Sequence, residues 1–277
     1  GFLFLSVAMT AGCGGILVDG GIFPLPTVHV VNPLPSSLGI AYEEVTFPAV
    51  DGSTMYAWFI PADNARATVL LHHGALGNRS AYTSYYATIH RLGYHVFIYD
   101  YRGFGESLSI ATLDQLLPDA DTALDYLRTR PESGTGKIVL MGVSMGTMPA
   151  ITQATQNPPA CVGLVLEGIA QRQSHPLAFL ALGIIPTNEA FSHVPPEIDP
   201  YTHIEKVTMP KLVFQSPSDD VTPWDGTYEI FEKAIQPKRL VEVIGAHVNA
   251  VNIDPNYEVQ LGLFLSELAA DDSSLEQ

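Results

Sequence analysis

The sequence predicts an α/β chain built on a mostly parallel, doubly wound sheet with helices on both faces. Three observations carry that expectation. Short apolar, β-rich runs alternate with longer helical patterns along most of the chain, which is the order that parallel sheets with crossover helices require. From Thr68 onward the β-rich runs are nearly continuous in apolar residues, as expected of strands covered on both faces. And 277 residues of which 47% are hydrophobic are enough for one large domain with a large buried core.

The chain opens with Gly1-Phe-Leu-Phe-Leu-Ser-Val-Ala-Met-Thr-Ala-Gly-Cys13. An apolar run of about a dozen residues is short for a membrane span and suits the core of a signal peptide. Without an initiator Met or a basic leader, the sequence is expected to begin inside its gene product. Thr10-Ala-Gly-Cys13 resembles a bacterial lipobox, which implies lipid on Cys13 after cleavage. The chain is then an exported, membrane-tethered lipoprotein; an ordinary secretory signal, or a short membrane anchor or buried segment, are the alternatives. Residues 1–18 are read as this signal-like segment, and 19–40, rich in Pro and Gly, as a tether or extended arm lying on the domain. A Cys13–Cys161 disulfide is the other use for the two cysteines, which form no CxxC and no Cys/His cluster, so no structural metal site is expected.

The domain is placed at 41–270, followed by a polar tail at 271–277. Predicted strands are Tyr42–Phe47, Met55–Ile60, Thr68–His72, His95–Tyr99, Ile138–Val143, Val162–Glu167, Leu212–Gln215 and Leu240–Ile244. Asp51-Gly52 between the first two is a hairpin signal. Predicted helices are Ser80–Leu92, Asp114–Arg128, Met145–Gln156, Trp224–Ala234 and Tyr257–Ala269. Residues 169–206 break the rhythm: the stretch is long, mixes apolar residues with prolines, and is read as a small cap insert over the carboxyl edge of the sheet. A meandering surface connection is the plainer alternative.

Thirteen Lys+Arg against 29 Asp+Glu give a net charge of −16. So acidic a surface repels phosphate backbones and anionic headgroups, which argues against nucleic acid as a partner and leaves Cys13 as the membrane tether.

Gly142-Val-Ser144-Met-Gly146 follows one predicted strand and opens a helix, the context a nucleophile elbow needs. A sharp strand-to-helix turn crowds the positions two before and two after the serine, so both are Gly. A serine hydroxyl needs a base. On a sheet of this kind the chain order is serine, acid, histidine, and of the nine histidines only His175, His193, His203 and His247 follow Ser144. His247 alone lies in a short loop after the last predicted strand, and the others fall in the cap insert. The acid should leave the preceding strand, where Asp219 and Asp220 both qualify on composition and Asp225 is a poor third. The Gly-containing loop at 73–78 supplies the Ala75 amide, which with the Met145 amide forms the expected oxyanion hole. His72 and His73 are read as loop-shaping residues.

With these pieces in place, the sequence resembles the α/β-hydrolase superfamily, in its serine-aminopeptidase-like or Bem-type branch. The matching segments are His73-Gly74-Ala-Leu-Gly77-Asn78-Arg79-Ser80, Tyr99-Asp100-Tyr101-Arg102-Gly103-Phe-Gly105-Glu-Ser107, the elbow, and Ser218-Asp219-Asp220-Val-Thr-Pro223 with His247. They run in family order over about Tyr42–Leu268. The resemblance implies Asp219 as the acid, and a structural role for Asp100 and Arg102 through ion pairing or hydrogen bonds. Two departures stand out. Gln215-Ser216 replaces the usual His-Gly, and Met148 replaces a small residue, where it either narrows the acyl pocket or packs beneath the helix.

The expected chemistry is hydrolysis of a small-molecule carboxylic ester through an acyl-serine intermediate, with the triad Ser144, His247 and Asp219 and no metal or organic cofactor. The cap candidates Phe179, Leu182 and Phe191 suggest an apolar substrate moiety. Amide or peptide hydrolysis by the same triad, and a non-catalytic surface lipoprotein on the same fold, are the alternatives.

Overall fold

The computed structural model describes residues 16–18, 21–23, 31–109, 111–130, 136–171 and 194–270. Cys13, the cap candidates Phe179, Leu182 and Phe191, the histidines His175 and His193, and the 271–277 tail lie outside the described residues.

Two short strands, β1 (Ile16–Val18) and β2 (Gly21–Phe23), pair antiparallel, and β1 also pairs with a two-residue strand, β7 (Ala111–Thr112). This small sheet was not anticipated. Its strands are two or three residues long, too short to show periodicity, and β1 falls within the stretch read as signal-like. Residues 31–40 lie against the domain: the Asn32 amide donates to the Ser80 hydroxyl at 3.2 Å, and Val31, Leu34 and Ile40 pack on the core.

The main sheet has eight strands: β3 (Glu43–Pro48), β4 (Thr54–Ile60), β5 (Thr68–His72), β6 (His95–Tyr99), β8 (Ile138–Val143), β9 (Cys161–Glu167), β10 (Lys211–Gln215) and β11 (Lys238–Glu242). Their order is β11-β10-β9-β8-β5-β6-β4-β3. The β3–β4 and β4–β6 pairs are antiparallel and all others are parallel. From β5 the chain winds outward to β6, then returns to the other flank of β5 as β8. The β5–β8 seam is therefore the switch point, beyond whose carboxyl ends such sheets bind ligands.

Alternate strand residues enter two separate cores. Leu70, Leu140, Leu164 and Val213 face α2 (Leu116–Thr129) and α3 (Thr147–Thr155). Val69, Met141, Val165 and Phe214 face α1 (Thr83–Arg91) and α7 (Pro255–Ala270). Burial of both faces explains the continuous apolar runs. The remaining helices are α4 (Pro200–His203), α5 (Trp224–Lys233) and α6 (Ala250–Ile253).

Several boundaries differ from expectation, three of them informatively. β11 lies at 238–242 rather than 240–244. It is the sheet's edge, where half-exposed Lys238, Arg239 and Leu240 pair with β10, so the apolar signal is displaced toward its end. The helix after the elbow begins at Thr147, because Ser144–Gly146 form a 3-10 turn first. And within 194–206, Val194, Ile198 and Ile204 are buried with Met148 and Ile151 of α3, as part of the domain core.

Candidate active site

β8 ends at Val143 in extended backbone, and Ser144 turns abruptly to φ +53°. A non-glycine residue in the left-handed region carries strain, which here lifts the serine above the sheet edge. The flanking glycines are sterically required. A Cβ on Gly142 would sit 2.6 Å from the Gly146 carbonyl oxygen, and one on Gly146 would run into the His72 carbonyl. Thr147 braces the turn: its hydroxyl donates to the Ser144 carbonyl at 2.6 Å and accepts from the Ala170 amide at 3.0 Å.

The acid turn follows β10. Asp219 is buried, at 5% exposure, and its carboxylate is saturated. Oδ1 accepts from the Val221 and Thr222 amides at 2.9 and 2.8 Å, and Oδ2 from the Thr222 hydroxyl at 2.8 Å and His247 Nδ1 at 2.8 Å. Burial raises its pKa, but the hydrogen bond to His247, the imidazole's charge and the Thr222 donors outweigh burial and hold the carboxyl below its ordinary value. Asp220, next door, is exposed, as is Asp225 in the first turn of α5.

Gln215 and Ser216, the departure from the usual His-Gly, tie this turn down. The Gln215 amide donates to the Thr222 carbonyl at 2.7 Å and its oxygen accepts from the Thr227 hydroxyl at 3.0 Å. The Ser216 hydroxyl donates to the Gly245 carbonyl, joining the acid turn to the histidine loop.

His247 closes the line, with Nε2 lying 2.9 Å from Ser144 Oγ. An ionised carboxylate only accepts, so Nδ1 carries the proton donated to Asp219, and Nε2 is left to accept the serine proton. The structure thus brings together Ser144, His247 and Asp219 from three loops at one sheet edge. Of the other histidines after Ser144, only His203 is described, and its Nδ1–H donates to the Asp199 carbonyl at 3.0 Å within its own turn.

Met145 sits in the first turn beyond the elbow, where backbone N–H groups have no intrahelical acceptor. The Ala75 loop lies alongside: a Cβ on Gly74 would be 3.0 Å from the Ser144 Cβ. Gly74, the residue before Ala75, thus packs against the serine.

His72 and His73 are fully buried. His72 Nδ1 pairs with the Tyr99 hydroxyl at 2.8 Å, and His73 Nδ1 with the Gly74 carbonyl at 2.7 Å. Burial depresses both pKa values, His72 to about 3, so neither is a cation at neutral pH. Asp100 accepts from the Arg79 amide at 2.6 Å and pairs with its guanidinium, which stacks over Trp58 at 4.8 Å. Arg102 Nε donates to Asp119 at 2.6 Å and Nη1 to Asp51 at 2.7 Å. These groups shape the loops behind the site. Met148 is fully buried in the core.

Sequence reasoning missed Thr147, Thr222 and the buried Glu167 at the end of β9. A lone acid closing an apolar run before a glycine was the available signal for the last of these.

The chain is similar to several proteins. Residues 63–200 match the sequence profile described as serine aminopeptidase, S33. An uncharacterized Escherichia coli (strain K12) protein, YfhR, is 30% identical over 240 residues, covering 82% of this chain and 80% of its own. An uncharacterized membrane protein of Saccharomyces cerevisiae, YNL320W, is 34% identical over 134 residues, 48% of this chain and 47% of its own. Among solved structures, the Pyrococcus furiosus esterase Pf2001 superposes with a TM-score of 0.74 at 19% identity, over 86% of this chain and 95% of that one.

Proposed function

Since this chain belongs to the α/β-hydrolase superfamily and matches its serine aminopeptidase S33 family, we propose that it is a serine hydrolase cleaving carboxylic esters through an acyl-serine intermediate. One observation carries the reading: the unbroken line from Asp219 Oδ2 through His247 to Ser144 Oγ, with contacts of 2.8 and 2.9 Å.

Ser144 Oγ attacks the ester carbonyl as its proton passes to His247 Nε2. Asp219 holds the imidazole's tautomer and stabilises the imidazolium. The Ala75 and Met145 amides face the carbonyl oxygen as it becomes anionic. His247 then protonates the leaving alcohol, and deacylation repeats the sequence with water as nucleophile. Removing a single oxyanion donor in a comparable enzyme costs roughly 10² to 10³ in kcat, so these amides are a large part of the mechanism.

Esters are favoured over amides by the likeness of the fold to the Pyrococcus furiosus esterase, while the name of the matching family favours amides. Activity against an ester series of increasing acyl length, beside aminoacyl anilides, decides. Turnover of the anilides alone would replace the ester reading, and failure of a fluorophosphonate to label Ser144 would return the chain to the non-catalytic alternative.

Among the described residues no helix is long and apolar enough to cross a membrane. Export with lipid on Cys13 is the proposed tether. Mass spectrometry of the mature N-terminus, after expression of the full-length gene in a bacterium, should find an acylated Cys13; an unmodified thiol or cleavage elsewhere rejects it.

A further inference from the structure

Glu167 is the last residue of β9, 3% exposed, between Val143 of β8 and Phe214 of β10 in the sheet register. It thus lies between the strand that delivers the nucleophile and the strand that delivers the acid. A buried carboxyl is costly unless hydrogen-bonded, and this one takes no part in the steps above. Its Oε2 and the Tyr257 hydroxyl of α7 are buried without a hydrogen-bond partner, and the Tyr85 hydroxyl of α1, the Ala250 amide of α6 and the Asp219 charge all bear on the carboxyl. Three of these groups border the loop that carries His247: Tyr85 bonds to Val248, Asp219 to His247 itself, and Ala250 opens the helix that follows.

That loop is strained. Val248, the residue after His247, has φ +47°, a conformation β-branched residues rarely adopt, which persists only where surroundings over-determine it. Two contacts do so. The Tyr85 hydroxyl donates to the Val248 carbonyl at 3.0 Å. Gly168, immediately after Glu167, packs under the loop: a Cβ there would sit 3.0 Å from His247 Cε1 and 3.1 Å from Val248 Cγ1.

We propose that Glu167 is a positioning residue for His247: in its protonated form it donates to the Tyr85 hydroxyl, leaving the single Tyr85 proton for the Val248 carbonyl and so fixing the imidazole. A phenol has one hydrogen to give. If Glu167 is neutral, its O–H donates to Tyr85 Oη, and Tyr85 donates onward to Val248. If Glu167 is ionised it can only accept, and Tyr85 must choose between the carboxylate and Val248. A charged acceptor is the stronger partner, so ionisation takes the brace from the histidine loop. Burial, reinforced by the Asp219 charge, pushes the Glu167 pKa up to about 7, against the pull of the nearby Tyr257, Tyr85 and Ala250 donors, which lower it. The brace is therefore released within the neutral range.

The inference rests on Ser144, His247 and Asp219 as the working triad, and its test separates the two. Glu167→Gln keeps size and presents a permanent N–H donor to Tyr85. The rate of fluorophosphonate labelling at Ser144 and the ester kcat are followed as pH rises through neutrality. The wild type should fall by roughly three-fold or more after its maximum, as a displaced base loses alignment. Glu167→Gln should hold its plateau. Tyr85→Phe, which has no hydroxyl to relay, should run lower at every pH and lose the alkaline fall. A merely structural role would lower all points of a profile alike. Superimposable wild-type and Glu167→Gln profiles overturn the proposal; should Glu167→Gln not fold, an alkaline fall retained by Tyr85→Phe overturns it. The His247 Nδ1–H proton resonance reads the loop without turnover: it should broaden with rising pH in the wild type and stay sharp in Glu167→Gln, and equal broadening in both is a refutation. Absence of Ser144 labelling in the wild type at any pH sinks the triad reading instead, and leaves the resonance to judge the brace.

Discussion

Ser144→Ala should lose roughly a million-fold in kcat on any ester the wild type cleaves, the cost of removing the serine in a comparable triad. The size follows from the geometry. The group 2.9 Å from His247 Nε2 in this line is the serine hydroxyl, and the neighbouring Thr147 hydroxyl is already engaged by the Ser144 carbonyl and the Ala170 amide. What remains is attack by free water, helped by the oxyanion amides. The fold should survive, because Thr147 braces the turn through the backbone carbonyl of residue 144 and not through its side chain. Circular dichroism and kcat of the purified variant measure both halves. Turnover near the wild-type level would overturn the mechanism, and an unfolded variant would contradict the account of the elbow.

The second large effect separates two adjacent aspartates. Asp219→Asn should cost at least about a hundred-fold in kcat and approach the 10⁴ seen when the orienting Asp of a trypsin-like triad becomes Asn. Oδ1 of Asp219 accepts two backbone amides. An Asn must keep its oxygen on that side, which turns its NH₂ toward His247 Nδ1. Two donors then face each other, the imidazole adopts the other tautomer, and Nε2 carries a hydrogen where it must accept one. Asp220→Asn should cost less than about ten-fold, since an exposed side chain orients nothing in the line. The measurement is kcat of both variants on one good ester; the reverse ranking would assign the acid to Asp220. The lowered pKa of Asp219 also sets a sign for stability. Its contribution is present above the unfolded value of 3.8 and is lost as the pH falls through the lower native value.

Much of this was legible in the sequence because burial on both faces writes itself as continuous apolar runs. β5, β6 and β8 have the bounds expected of them, since their length and composition leave no other reading. The edge strand β11 was displaced by its Lys238-Arg239 start, and the β1–β2–β7 sheet was invisible because pairing over two or three residues leaves no pattern. At the site, the elbow and the loop histidine were readable from spacing and chain order. The acid was not: Asp219 and Asp220 are equivalent in composition, and only the resemblance preferred one. The partners of Asp100 and Arg102 are side chains distant in sequence, Arg79, Asp119 and Asp51, and no local rule pairs them. Glu167 was read as the end of a strand, because a sequence does not say which side of a sheet edge a carboxyl turns to.

The position of β11 has a consequence for when the site exists. Ser144 and His247 are 103 residues apart, and the histidine follows the last strand to join the sheet. During synthesis the nucleophile elbow is made long before its base, so a growing chain with β5 and β8 paired holds a serine with nothing to activate it. On the proposed mechanism the serine gains its base only when β11 docks against β10 and the Ser216 hydroxyl meets the Gly245 carbonyl. The same margin is the first to fray in a finished molecule, because β11 is paired on one side only within the described sheet. The base is thus the last group to arrive in the life of the chain, and its strand is poised to be the first to leave.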